Sequence, residues 1–279
     1  MWNHVKTILL LGGLSGLILL AGSIIGGQTG LIIALAFAIL INFGMYFFSH
    51  KLVLTMYRAR PLPKNQHPGI HKMVDELAHK MHLPRPTLYL VPTQTPNAFA
   101  TGPTPKKAIV AVTEGILAIL TPDELRGVLA HELGHIKNRD MLITTIAATL
   151  AAVISFLAQT AQFAAIFGSR DEDSGNIAGM IFLALLAPLI ALILQLAISR
   201  SREYLADETG ARANGDGKAL ASALRKLEAG ARTHPLRSGN PSTSSLFIVN
   251  PFTTQGLLGL FSTHPPTQER VKRLESLKF

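Results

Sequence analysis

No aspartate, glutamate, lysine or arginine occurs from Thr7 to His50, from Met141 to Ser169, or from Ser174 to Ser199. Charge-free windows of that length leave few folds open, because a helix that crosses a bilayer core needs about 20 mainly apolar residues. Charged residues make up only 15% of the 279-residue chain and hydrophobic residues reach 48%, whereas a soluble domain carries about 25% charge. An ordinary soluble protein is excluded.

The first window is too long for one span and is broken midway by Gly26-Gly27-Gln28-Thr29-Gly30, so it reads as a hairpin of two helices. The other two windows hold one span each, on either side of the polar turn Arg170-Asp171-Glu172-Asp173. The expected architecture is integral membrane and mainly α: four transmembrane helices in two hairpins, at residues 1–50 and 141–199. The polar blocks 51–140 and 200–279 would together form one α+β domain with a small sheet. A cleaved signal peptide is not expected for the first helix, because a second apolar run follows it instead of a soluble start.

All lysines and arginines except Lys6 and Arg170 fall in the two polar blocks. The positive-inside rule then places both blocks and both termini in the cytoplasm, with a multi-pass location in the cell (inner) membrane. The net charge of +9 reads as this orientation, helped by anionic lipid of the bilayer. No nucleic acid is expected as a partner, since neither block has a recognition motif or interleaved aromatic residues. With no cysteine there is no disulfide and no thiolate metal ligand.

Within the first polar block, Pro61-Leu62-Pro63 marks a linker, and Ile70, Met73, Val74 and Leu77 recur at helical spacing over residues 68–82. Residues 87–91 and 108–112 are β-branched runs that read as strands, with 97–102 as an extended edge. The second block reads as helical from Arg200 to about Ala231, loop-rich to Thr263, and helical again from Thr267 to the end.

The chemistry concentrates in His131-Glu132-Leu133-Gly134-His135. Thr121, Pro122 and Glu124 supply a cap, a first-turn proline and a capping-box partner, so the motif lies on a helix. A spacing of four puts both imidazoles on one face, where they can bind one zinc ion, and Glu132 is placed to act on an attacking water. A catalytic zinc takes three protein ligands. The metzincin pattern is excluded by Asn138 and Met141, which leaves a distant carboxylate. Glu203 is the best candidate, with Asp207 one turn on as a partner for a ligand histidine. On spacing alone, the two are equally an ordinary polar face.

His131-Glu132-Leu133-Gly134-His135, Arg202-Glu203-Tyr204-Leu205-Ala206-Asp207, Asn97-Ala98-Phe99-Ala100-Thr101-Gly102 and Ser262-Thr263-His264-Pro265-Pro266-Thr267-Gln268-Glu269-Arg270 together resemble the HtpX-type membrane zinc endopeptidases. These are gluzincin-like relatives of the type I CAAX prenyl endopeptidase, and the likeness spans the whole chain. The resemblance implies one zinc ion per chain bound by His131, His135 and Glu203, with Glu132 as general base. It also implies degradation of damaged or misfolded membrane proteins under envelope or heat stress.

By the same resemblance, His264 stabilises the oxyanion and Arg270 assists at the site. The plain alternative is that Thr267 caps the last helix and Arg270 pairs with a surface acid. Asn97, Ala98, Phe99 and Ala100 would form the strand on which an extended substrate pairs. His71, His79 and His82 are expected in solvent. The short helical stretches from His135 to Met141, about 9 Å, and from Ser199 to Glu203, about 6 Å, would hold the zinc near the cytoplasmic bilayer surface. Residues 238–262 are a candidate flap. Self-cleavage is compatible with such a site, and no residue fixes an oligomeric state. Competing readings are a prenyl-CAAX endopeptidase, a catalytically silent scaffold, and a transporter. The last is disfavoured by the lack of an ionisable residue deep in any span.

Overall fold

The computed structural model describes residues 53–144, 186–233 and 265–279 continuously, with isolated positions elsewhere. The four expected spans lie for the most part outside these residues. Among the described residues no helix is long and apolar enough to cross a membrane. The chain divides into two compact units, Met1–Met45 with Ile143–Ile198, and Tyr46–Leu142 with Ser199–Phe279.

In the first unit, Ile154, Leu157, Ala158 and Ala191 are buried, and Gly13 lies against Leu194. Other apolar side chains of the same unit are open: Leu9 is 67% exposed, Leu40 70% and Ile193 53%.

The second unit contains a four-stranded sheet in the order β1-β2-β4-β3, formed by β1 (Arg60–Pro61), β2 (Thr87–Val91), β3 (Ala98–Thr101) and β4 (Ile109–Thr113). Strand β4 is buried along its whole length, which suits its unbroken Ile-Val-Ala-Val-Thr run, since a strand covered on both faces needs no alternation. It pairs parallel to β2 and antiparallel to β3. The return from β3 to β4 requires glycine at Gly102, where φ is 120° and a Cβ would meet the Lys107 carbonyl at 2.3 Å. The supposed linker at Pro61 supplies the two-residue β1, and β3 forms the opposite edge.

Helices α1 (Pro68–Lys80) and α3 (Pro122–Lys137) pack on one face of the sheet; α2 (Glu114–Ile119) links β4 to α3. The main core lies there, with Val74, Leu77, Val110, Val112, Leu129, Leu133, Leu224 and Leu227 buried together. Full burial of each such side chain contributes about 1.5–3 kcal/mol. A smaller cluster of Val53, Val91, Phe99 and Ala111 covers the other face.

The expected long helix after Arg200 is broken. α4 (Ala187–Asn214) ends at Gly215, where φ is 79°, and α5 (Lys218–Thr233) starts afresh, with Asp216 accepting from the N–H groups of Lys218 and Ala219. α6 spans Thr267–Glu275, with Pro266 and not Thr267 at its cap and the last four residues outside it. His71 is also corrected: it is buried, with Nε2 3.0 Å from the Leu62 carbonyl and Nδ1 2.9 Å from Arg85. Its position with Val74 and Ala78, at i, i+3 and i+7, puts it on the packed face. His79 and His82 are exposed as expected.

Candidate metal centre

The motif helix α3 begins at a complete capping box: the Thr121 hydroxyl accepts from the Glu124 N–H at 3.4 Å, and the Glu124 carboxylate accepts from the Thr121 N–H at 2.8 Å. Glu124 also receives Ser222 and Lys226, each at 2.7 Å, which ties the start of α3 to α5. Burial opposes its ionisation, but these donors hold it down at about 2. One turn from its other end, α3 touches α4 backbone to side: a Cβ on Gly134 would sit 2.8 Å from the Ala206 carbonyl. A small residue between the histidines is therefore what lets the helix carrying Glu203 approach.

That approach brings His131, His135 and Glu203 together, with one ligand atom from each within 4.8 Å of the others. The two Nε2 atoms are 3.1 Å apart, and the Glu203 oxygens lie 3.7 Å from His131 Nε2 and 3.5 Å from His135 Nε2. Tetrahedral coordination with bonds of about 2.0–2.1 Å requires separations of about 3.3 Å. The opposite ring nitrogens each face a carboxylate: His131 Nδ1 is 2.9 Å from Asp207 Oδ1, and His135 Nδ1 is 2.7 Å from Asp140 Oδ2. In the neutral rings this assigns the protons to Nδ1, so that both Nε2 lone pairs and the Glu203 carboxylate face one point. Three electron-pair donors converging in that way fit a metal ion.

Arg270 stands behind this set and is only 1% exposed. It makes a two-pronged bond to Asp207, at 2.9 and 2.7 Å, approaches Glu203 at 3.2 Å and donates to the Ile248 carbonyl at 2.9 Å. The alternative of a surface ion pair for Arg270 is thus overturned. Burial disfavours the Asp207 anion, but the Arg270 charge and the His131 contact hold it down at about 2. Burial lowers His131. Burial also pulls His135 down, but the bond to Asp140 and the charge of Glu203 outweigh it and hold it at about 9. Glu132 is buried, which pushes it up to about 7; the His135 charge opposes this and the Glu203 charge adds to it.

The strand residues are placed as follows. Asn97 is 3% exposed and acts as a pin: its carbonyl accepts from the Thr113 N–H at 3.0 Å, its N–H donates to the Thr113 hydroxyl, and its side-chain oxygen accepts from the Ile248 N–H at 3.1 Å. Phe99 points into the cluster on the far face of the sheet. Since Asn97 bonds to β4, the antiparallel alternation turns the main-chain groups of Ala98 and Ala100 away from β4. Ala100 N–H meets the Glu132 carboxylate. His264 and, apart from Ile248, the candidate flap 238–262 lie outside the described residues.

Asp140 and Arg202 are the site residues that spacing missed. Asp140 is five residues past His135, off any helical face, because α3 stops at Lys137 and the chain reverses through Arg139, whose φ is 54°. For the same reason the stretch from His135 to Met141 is not one straight helix, and the 9 Å estimate does not hold. Arg202 carries no mark in sequence beyond standing next to Glu203.

Residues 64–278 match the profile of peptidase family M48. "Protease HtpX homolog" of Syntrophobacter fumaroxidans is 51% identical over 99% of this chain and 100% of its own length. The Persephonella marina protein of the same name is 56% identical over 98% and 96%, and the Pyrococcus furiosus one 52% identical over 98% and 95%. In fold, the chain is similar to the crystal structure of S. mikatae Ste24p, with a TM-score of 0.61 at 20% identity, covering 98% of this chain and 65% of that one. The chain thus spans about two thirds of Ste24p. It belongs to peptidase family M48 and is a metalloendopeptidase of the HtpX type.

Proposed function

We propose that this M48 chain is a membrane-bound zinc endopeptidase that cleaves damaged or misfolded membrane proteins at the cytoplasmic membrane surface, in protein quality control under stress. The observation that carries the reading is the convergence of His131, His135 and Glu203 beside the buried Glu132. Two imidazoles and one carboxylate suit zinc, which when held there polarises the scissile carbonyl and lowers the pKa of an attacking water. Glu132 takes the proton from that water and passes it to the leaving amine; a carboxyl near neutrality serves both steps. Asp207 and Asp140 hold the imidazoles in the ligating tautomer, and Arg270, sealed from solvent, positions Asp207 and Glu203 and does not touch substrate. His264 is retained as the oxyanion donor.

Substrate binds as an added strand along β3, through the main-chain groups of Ala98 and the Ala100 carbonyl, the Ala100 N–H being held by Glu132. Such pairing makes little demand on sequence, as the disposal of many unfolded chains requires. The charge-free windows and the exposed Leu9, Leu40 and Ile193 support a lipid-embedded first unit, since soluble surfaces rarely gather open leucines on apolar segments. The four spans, both termini in the cytoplasm and a site close to the bilayer belong to this proposal. Its test is digestion of a destabilised membrane protein by the detergent-purified chain, with the cuts mapped by mass spectrometry. Cleavage abolished by a chelator, restored by zinc and clustered in cytoplasmic loops is expected; metal-independent cleavage, or cuts confined to segments far from the bilayer, contradicts it.

A further inference from the structure

The two imidazoles of α3 are backed by carboxylates of different origin. Asp207, behind His131, lies on α4. Asp140, behind His135, comes from the chain just past α3, and three local features bring it there. Asn138 closes the helix, its N–H bonded to the Gly134 carbonyl at 2.9 Å. Arg139 then adopts a left-handed conformation that side chains other than Asn and Asp rarely take. The reversal returns Asp140 to His135 Nδ1 at 2.7 Å.

A buried guanidinium locks this arrangement. Arg202, 1% exposed, donates through Nε to Asp140, and its Nη2 lies against the same carboxylate and donates to the Asn138 carbonyl at 2.9 Å. The neighbour in sequence of Glu203 therefore grips the carboxylate that holds His135.

We infer that Asp140 is a positioning residue for metal binding: backed by Arg202, it fixes the His135 ring with Nε2 turned toward His131 and Glu203. The inference rests on the metal-site reading above. The competing account is a buried ion pair that only holds α3 and α4 together.

Two variants of the full-length, detergent-purified chain separate these accounts, each stripped of metal and titrated with zinc against a chromophoric chelator. Arg202→Met keeps Asp140 on His135 but removes its backing and strands its charge, so the metal-free melting temperature falls, and zinc affinity falls by less than in a variant that also loses Asp140. Asp140→Leu combined with Arg202→Met removes both buried charges, so the melting temperature recovers toward the parent, as buried pairs replaced by apolar residues commonly allow. Zinc affinity in that double variant nevertheless falls about 10- to 100-fold, the usual cost of losing a partner of a ligating histidine. The visible spectrum of the cobalt-loaded form changes with it. A double variant with parental zinc affinity and cobalt spectrum overturns the inference, as does Arg202→Met losing zinc as strongly as the double variant. A parent chain that binds no zinc removes the metal site and this inference with it.

Discussion

Asp207 Oδ1 lies 2.9 Å from Nδ1 of His131, and both prongs of a buried arginine hold that carboxylate in place. The arrangement couples a metal ligand on α3 to α4 and α6 through one charge. Asp207→Asn keeps the shape but loses the anion, and zinc affinity should drop about 10- to 100-fold in a chelator competition. Arg270→Met strands Asp207 and Glu203 without their cation, so destabilisation of about 3–5 kcal/mol is expected in thermal or denaturant unfolding. Lysine should not substitute, because it cannot bond both carboxylate oxygens at once.

Metal binding competes with a proton on His135, held at about 9 in the metal-free protein. Zinc affinity should therefore fall about tenfold for each pH unit below 9. The same shift governs stability. The folded value lies above the ordinary 6.5, so the stabilising proton is fully present below pH 6.5 and is lost as pH rises to about 9. Glu132, also raised, acts in the same direction up to about 7. The metal-free melting temperature should decline from pH 6.5 to 9, and zinc should cancel the decline; a rise across that interval contradicts these assignments.

Gly134 admits α4 to the motif helix, since a Cβ there would stand 2.8 Å from the Ala206 carbonyl. Gly134→Ala must force the two backbones apart, at a cost of about 1–3 kcal/mol. Because the displaced helix carries Glu203, zinc affinity should fall together with the melting temperature, and unchanged zinc binding would show that the contact does not set the site.

Proline at Ala98 deletes a main-chain donor without removing a bond to β4, and edge strands tolerate proline. Ala98→Pro should retain zinc and lose about tenfold in kcat/KM, the worth of one main-chain bond of about 1.4 kcal/mol. A parental kcat/KM would mean that substrate does not pair along β3.

Much of this site is legible in the sequence because its parts obey a local period. Thr121, Pro122 and Glu124 announce the start of α3, the spacing of His131 and His135 puts them on one face, and the pair Glu203 and Asp207 repeats that spacing on α4. Asp140 is not legible, because it reaches His135 by a backbone reversal at Arg139 that breaks helical spacing, and a left-handed arginine leaves no signature. The bond of the Asn97 side chain to Ile248 is likewise not legible, because its partner stands 151 residues away. The burial of His71 is not legible either, because a single polar residue does not narrow a packed helix face. In the sheet, the unbroken apolar run of β4 was visible, whereas β1 has only Arg60 and Pro61 and no pattern to read.

The most direct test of the account is Glu132→Gln, measured for zinc content and for cleavage of an unfolded substrate beside the parent chain. The substitution keeps the size of the side chain and removes its capacity to accept a proton. The account predicts about one zinc per chain in both forms, with turnover lowered by at least 100-fold in the variant. A variant that retains zinc and cleaves at the parental rate would contradict the assignment of Glu132 as the base.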